Sequence, residues 1–227
     1  MRYAIYFIPD PSSSLWAFGS SVLGYDSAAV ADVPQPSHPL FRKPFVRTMV
    51  EGPRTYGFHG TLKAPFELKD GATLDQLMGA AAAFGVDETA LSIGCLDVVE
   101  IGSFLALVPA QEPPDLKRLA SRVVEHFEPF RAPLNEAGLT KRLKTPLTPE
   151  QTANLHTWGY PYVFDEFRFH MTLTGPLDEH VRRETRAGLL EIYRPIAQPV
   201  IIDAIAVCEQ AEPGARFRTL RRFRLKT

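Results

Sequence analysis

Cysteine is scarce: the 227 residues hold two, Cys95 and Cys208, each inside an apolar, strand-like run. That argues against the disulfide framework of a small secreted domain and favours buried, reduced thiols in a cytoplasmic protein. No stretch approaches the roughly 18 consecutive apolar residues of a membrane span. The first residues, Met1 to Ile8, alternate like a strand and meet Pro9 at once, unlike the apolar core of a signal peptide. A surplus of positive charge is missing too, with 25 Lys and Arg against 26 Asp and Glu, net charge −1 and a pI near 6.6. A general nucleic-acid binder would need a broad basic surface; a small anion held by a few local cations remains compatible. There is no His-Glu-x-x-His and no paired-cysteine spacing, so neither a metal nor a cofactor is expected. Gly-x-Ser-x-Gly is also absent, which leaves a serine hydrolase without support.

What is present is an ordinary globular composition, 45% hydrophobic and 22% charged, with 20 prolines that predict kinked, ordered connections. The chain is long enough to bury a sizeable core. Its organising feature is a stretch that occurs twice. Tyr56-Gly57-Phe58-His59-Gly60-Thr61-Leu62-Lys63-Ala64-Pro65-Phe66 shares aromatic-x-Phe-His-x-Thr-Leu-x-small-Pro-apolar with Phe167-Arg168-Phe169-His170-Met171-Thr172-Leu173-Thr174-Gly175-Pro176-Leu177. The two histidines stand half a chain apart. An internal repeat on that scale decides how the rest is parsed.

Residues 3–8 read as a first strand and 12–23 as a short amphipathic helix. From 32 to 47 four prolines predict a long loop, which carries His38. The first motif strand spans 58–68, followed by a helix over 73–86 and strands over 91–101 and 104–108 around a Gly102-Ser103 turn. A helix follows over 113–127. The Pro- and Lys/Arg-containing segment 131–147 carries no clear pattern, and a Thr-Pro-Glu start predicts a helix over 148–158. The second motif strand spans 166–177, and a helix over 178–193 and strands over 200–209 and 217–225 follow it. Strand, helix, strand, strand thus follows each motif. This order predicts an α+β protein, one domain over 1–227 with halves of about 1–112 and 113–227. Two antiparallel sheets with outer helices would face each other across a central cleft.

Side chains two apart on a strand share a face and stand about 7 Å apart. His59 and Thr61 therefore share a polar face, as do His170 and Thr172, while Phe58, Gly60, Leu62, Phe169, Met171 and Leu173 turn to the core. Brought together, the two polar faces supply two imidazoles and two hydroxyls around one phosphorus. A neutral imidazole takes a proton from water or an alcohol, and a protonated one gives a proton to the leaving oxygen. Imidazole titrates near about 6.5, so both forms are accessible, and each transfer contributes roughly 10²–10⁴ in rate. The hydroxyls offset phosphoryl charge. No metal is required.

These paired His-x-Thr-x motifs resemble the 2H phosphoesterase superfamily, whose members act on cyclic or linear phosphodiesters. With Trp158-Gly159-Tyr160-Pro161-Tyr162 and the opening Arg2-Tyr3-Ala4-Ile5-Tyr6, the chain more narrowly resembles a bacterial branch often encoded among phosphonate-degradation genes. The resemblance implies a two-lobed, pseudo-symmetric fold, catalytic roles for His59 and His170, and phosphate binding by Thr61 and Thr172. Its association with phosphonate breakdown points to a phosphoribosyl cyclic phosphate as substrate.

The expected activity is thus hydrolysis of a small cyclic phosphodiester by a monomer, with no membrane partner. Two other readings stay open: an RNA 2′,3′-cyclic phosphodiesterase or end-processing enzyme, and a non-catalytic nucleotide- or RNA-binding module. Lys63 and Arg168 fall on the histidine faces by parity, where each either binds phosphate or is a solvated charge. Arg216, Arg218, Arg221, Arg222, Arg224 and Lys226 make a basic last strand, read mostly as edge charges. Tyr3 and Tyr6 read as core residues before stacking partners. His38, His126, His156 and His180 lack the motif and read as surface residues.

Overall fold

The alternating residues that open the chain form β1 (Arg2–Phe7), buried at every position after Arg2. The computed structural model describes residues 1–143 and 146–227, so part of the segment left unassigned at 131–147 lies outside the described residues. Ser13 caps α1 (Ser14–Leu23) by accepting from the Trp16 amide, and Gly24 ends it in the left-handed region at φ +69°. Two short strands follow, β2 (Tyr25–Asp26) and β3 (Ala31–Asp32). The proline-rich stretch holds a 3₁₀ turn at Pro39–Arg42 and then α2 (Val46–Arg54), which the sequence reading missed. Gly52 and Pro53 argue against a helix there, yet both fall in its last turn. Val46, Met49 and Val50 are buried along one stripe and hold it to the core.

The first motif strand is β4 (Gly60–Phe66), followed by α3 (Leu74–Asp87), whose start is fixed by a reciprocal Thr73–Gln76 capping box. The strand expected over 91–101 is two, β5 (Leu91–Gly94) and β6 (Leu96–Ile101), broken where Gly94 takes φ +68°. Then come β7 (Phe104–Pro109), α4 (Pro114–Phe127), the unforeseen α5 (Glu136–Arg142), and α6 (Pro149–Trp158) behind a Thr148–Gln151 capping box. The second motif strand is shorter than expected: β8 is Met171–Thr172, preceded by a 3₁₀ turn at Phe164–Glu166. The chain continues with α7 (Glu179–Tyr193), β9 (Val200–Ile202), β10 (Ala204–Gln210) and β11 (Arg218–Arg224).

Seven strands make one antiparallel sheet in the order β11-β10-β1-β4-β8-β7-β6, and β5 pairs with β9 apart from it. The α+β class and the antiparallel pairing agree with the sequence reading. The two sheet halves, expected as separate layers across a cleft, are instead joined edge to edge through the pair Gly60–Met171. Joining them satisfies backbone groups that two free middle edges would leave unpaired. Around that pair the order reads alike from both sides: β4, β1, β10 one way and β8, β7, β6 the other. With the short β2, β3 and α5 set aside, the order β1-α1-α2-β4-α3-β5-β6 has its counterpart in β7-α4-α6-β8-α7-β9-β10.

The junction rests on a packing match. Phe58, Leu62, Phe169, Met171 and Leu173 are all at most 2% exposed, which puts the expected apolar face in the core. A Cβ on Gly60 would stand 2.6 Å from the Phe169 ring. Gly60→Ala is therefore expected to lower stability by about 1–3 kcal/mol through overpacking. Urea denaturation checks this, and an unchanged midpoint would mean that Phe169 gives way freely.

Candidate active site

Both histidines lie one residue before their strands, and each is held in the same way. Nδ1 of His59 is 2.9 Å from the Gly57 carbonyl, and Nδ1 of His170 is 2.9 Å from the Arg168 carbonyl. A carbonyl only accepts, so Nδ1 carries the hydrogen in both rings and Nε2 is left for chemistry. Two unlike dipeptides, Gly57-Phe58 and Arg168-Phe169, produce this turn. In the first, Gly57 takes φ +72°, and a Cβ there would meet Ser27 at 2.9 Å.

The pair Gly60–Met171 also fixes what faces what. Carrying that antiparallel register one residue each way sets His59 opposite Thr172 and Thr61 opposite His170. All four lie on the face away from the buried Gly60 and Met171. Directly opposed Cβ atoms are about 4.5–5.5 Å apart and same-strand neighbours about 7 Å. In an ideal ladder these four positions mark out a rectangle of roughly 5 by 7 Å with each imidazole diagonal to the other, and here His59, Thr61 and Thr172 share one cavity wall. His59 Nε2 meets Thr61 Oγ1 at 3.1 Å.

Tyr6 backs the first imidazole, ring centroids 3.9 Å apart and planes at 25°. It is 1% exposed and pairs with Thr61 across β1 and β4, so it belongs to the core and the site at once. Tyr3 is buried, with its hydroxyl on the Met1 sulfur. Burial pushes His59 down to about 4; the Gly57 carbonyl pulls the other way, and the charge of His170 lowers it further. His170 is also lowered by burial, against the Arg168 carbonyl and with the Arg168 guanidinium. Both imidazoles are therefore held toward the neutral form.

His59, Thr61 and Thr172 line a cavity of about 550 Å³ together with Arg2, Tyr6, Tyr56, Lys63, Arg131, Arg142 and Tyr160. His170 is not among the lining side chains, although it stands near enough for its charge to act on His59. Arg168 is exposed and also off the cavity wall. Lys63 is on the wall but committed elsewhere: its Nζ is 2.8 Å from Glu128 Oε2 and 3.0 Å from the Val124 carbonyl. Burial lowers its pKa, and Glu128 opposes that. Glu128 also binds Arg131, which in turn reaches the Ala132 and Thr157 carbonyls and so ties α6 to the loop after α4. Lys63 lies within a strand whose register to β1 slips twice, and such bulges re-aim side chains.

The other residues singled out in the sequence lie elsewhere. Arg216 pairs with Asp32, Arg218 with Glu209, and Arg222 with Asp203 and Asp10, while Arg221 covers the Phe223 ring. None of the arginines of β11 lines the cavity that holds His59. His38 caps the Pro39–Arg42 turn and pairs with Glu191, and His126 meets the Ala80 carbonyl. Cys208 is buried, which pushes its thiol up to about 12. Cys95, expected to be buried, is exposed because it sits at the break between β5 and β6. No helix among the described residues is long and apolar enough to cross a membrane.

The wall residues that the sequence reading missed are Arg2, Tyr56, Arg131, Arg142 and Tyr160. The signal for Arg142 was the basic character of 131–147, set between prolines and facing no apolar stripe.

The family described as "Protein of unknown function (DUF1045)" matches residues 61–218, and the chain belongs to that family. It is 37% identical over 221 residues to a protein of Janthinobacterium sp. (strain Marseille) called ribose 1,5-bisphosphate phosphokinase PhnN. That match covers 95% of this chain and 49% of the relative. A protein of the same name from Laribacter hongkongensis (strain HLHK9) is 31% identical over 229 residues, 97% of this chain and 51% of that one. The chain thus spans about half the length of these curated relatives. Among solved structures, one titled "Crystal structure of phosphoesterase" superposes with TM-score 0.42 at 11% identity, covering 100% of this chain and 99% of that one. Escherichia coli LigT in its apo form gives 0.43 at 10% identity, with 100% and 98% covered.

Proposed function

We propose that this chain is a two-histidine phosphoesterase that opens a small cyclic phosphodiester with water. The observation that carries the reading is the matched pair of imidazoles, each with Nδ1–H on the carbonyl two residues back. One neutral Nε2 removes a proton from water as its oxygen bonds to phosphorus. The ester P–O bond breaks, and the second imidazole, protonated, delivers its proton to the departing alkoxide. The product is a phosphomonoester with a free hydroxyl, and the two rings have exchanged protonation states. The lower pKa of His59 suits it to the base and leaves His170 as the acid. Thr61 and Thr172 donate to the non-bridging oxygens.

The relatives, of whose length this chain spans about half, are named for a kinase acting on ribose 1,5-bisphosphate. Opening a 5-phosphoribosyl 1,2-cyclic phosphate at its 2-oxygen gives that compound, so this module's product would be the relatives' named substrate. Purified protein should open ribose 1,2-cyclic phosphates faster than nucleoside 2′,3′-cyclic phosphates, with activity undiminished by EDTA. Loss of activity that added metal restores would overturn the metal-free mechanism, and a preference for nucleoside 2′,3′-cyclic ends would move the substrate to RNA. We also propose that the two halves are a duplication that parts at the Gly102-Ser103 turn. Matched sheet positions of β1 and β7 support this boundary better than one near residue 112.

A further inference from the structure

A single phosphate occupies a small part of a cavity of about 550 Å³. The rest of the wall is basic and aromatic. Four cations line it, Arg2, Lys63, Arg131 and Arg142, beside one exposed carboxylate, Glu67. Two of the four are spent: Lys63 and Arg131 share Glu128. The other two make no ion pair among the described residues. Arg2 donates through Nε to the neutral amide of Gln210 at 2.8 Å, and Arg142 lies over the Tyr160 ring at 5.2 Å. Arg142 is half-buried, and burial lowers its pKa, with the charges of Arg2 and Arg131 acting in the same direction. Like charges gathered in a partly desolvated wall, with no carboxylate paired to Arg2 or Arg142 among the described residues, are costly unless an anion joins them.

Position along the sheet separates this group from the histidines. Arg2 and Tyr6 lie four residues apart on β1, so they share a face about 13 Å apart. Tyr6 is the residue stacked on His59 and paired with Thr61. Tyr56 lies against His59 at 6.2 Å between centroids, and its electrostatic influence reaches Arg142. The wall thus runs from the His–Thr rectangle past Tyr6 and Tyr56 to Arg2, Arg142 and Tyr160. Once the arginine side chains reach back, that interval accommodates one sugar ring.

We infer that Arg2 and Arg142 form a second phosphate subsite, so that the substrate carries a phosphomonoester one sugar ring away from the bond that is broken. This rests on the phosphoesterase reading for its choice of substrate, but the subsite itself is testable without turnover. Guanidinium forks suit the flat, bidentate approach to a phosphate dianion. They also select against cyclic phosphates that end in a hydroxyl.

The probe is ribose 5-phosphate, which has a phosphomonoester and no diester, titrated calorimetrically into the whole chain. The wild type should bind it. Arg142→Gln and Arg2→Gln should each weaken binding at least tenfold, and Arg142→Lys should restore part of the loss. On cyclic substrates, the wild type should prefer the form with the second phosphate by about 10²-fold in kcat/KM, two tenfold contributions from two guanidiniums. In Arg142→Gln that ratio should fall toward tenfold. Melting temperatures confirm that the variants are folded, and if Arg142→Gln is not, Arg2→Gln makes the same test. Unchanged affinity in a folded glutamine variant, or no binding by the wild type, overturns the subsite. Binding that depends on both arginines, in a protein that opens no cyclic phosphate, would uphold the subsite and sink the phosphoesterase reading.

Discussion

Replacing either His59 or His170 by alanine is expected to lower kcat on a cyclic phosphate by about 10²–10⁴-fold, with KM changed much less. Each ring handles one proton of the same step, so the double variant should lose far less than the product of the single losses. Neither His38 nor His126 is placed to substitute. His38 is held by Leu40 and Glu191, and His126 by the Ala80 carbonyl, both on other parts of the surface. The folding cost should differ between the two. His59 stacks on Tyr6 in the cavity wall, whereas His170 has a looser aromatic neighbour in Phe104 at 6.0 Å. His59→Ala should therefore lower the melting temperature more than His170→Ala, although both should fold. Thr61→Val and Thr172→Val remove one hydroxyl each and should cost about tenfold, the worth of a single hydrogen bond to a charged group. Near-normal turnover by either histidine variant would end the paired acid–base reading. Steady-state rates beside a circular-dichroism melt decide the matter.

The parts of this site visible in the sequence are those governed by strand parity and by repetition. Parity alone divided the motif into a buried face with Phe58, Leu62, Phe169 and Met171 and a polar face with the histidines and threonines, and burial divides them the same way. Parity says nothing about which strands pair. That depends on contacts between residues distant in sequence, and the register at Gly60 and Met171 comes from a ring packing where a side chain is missing. Lys63 shows the same gap from another side. Its position on the histidine face was legible, but its partner Glu128 follows α4 and became visible only with the helix packed on β4. The short helices α2 and α5 were hidden by glycine and proline, whose local preferences are weak priors that tertiary burial overrides. Arg142, at the end of α5, was hidden with it. The splitting of two long predicted strands, into β5 and β6 at Gly94 and into β9 and β10 at Asp203, had a local signal, since glycine and aspartate are both disfavoured inside strands.

The pH profile should have different positions for free and bound enzyme. Burial holds His59 near about 4 and pulls His170 below its ordinary value. Catalysis needs His59 neutral and His170 protonated, a combination most populated between their two pKa values. In kcat/KM, which reports the free enzyme, the optimum should therefore lie on the acid side of 6.5. Above it the rate should fall tenfold per pH unit as His170 loses its proton. A bound phosphodiester places negative charge between the rings and favours the imidazolium form of both. The kcat profile, which reports the complex, should consequently sit at higher pH than kcat/KM and approach neutrality. The substrate for this measurement should carry no second phosphate, since a phosphomonoester titrates near about 6 and would distort the limb. Raising salt should leave the position in kcat/KM nearly unchanged, because desolvation, not long-range charge, is the main cause of the depression. A kcat/KM plateau extending to pH 8, with chemistry shown to limit the rate, would mean that protonated His170 is not the acid.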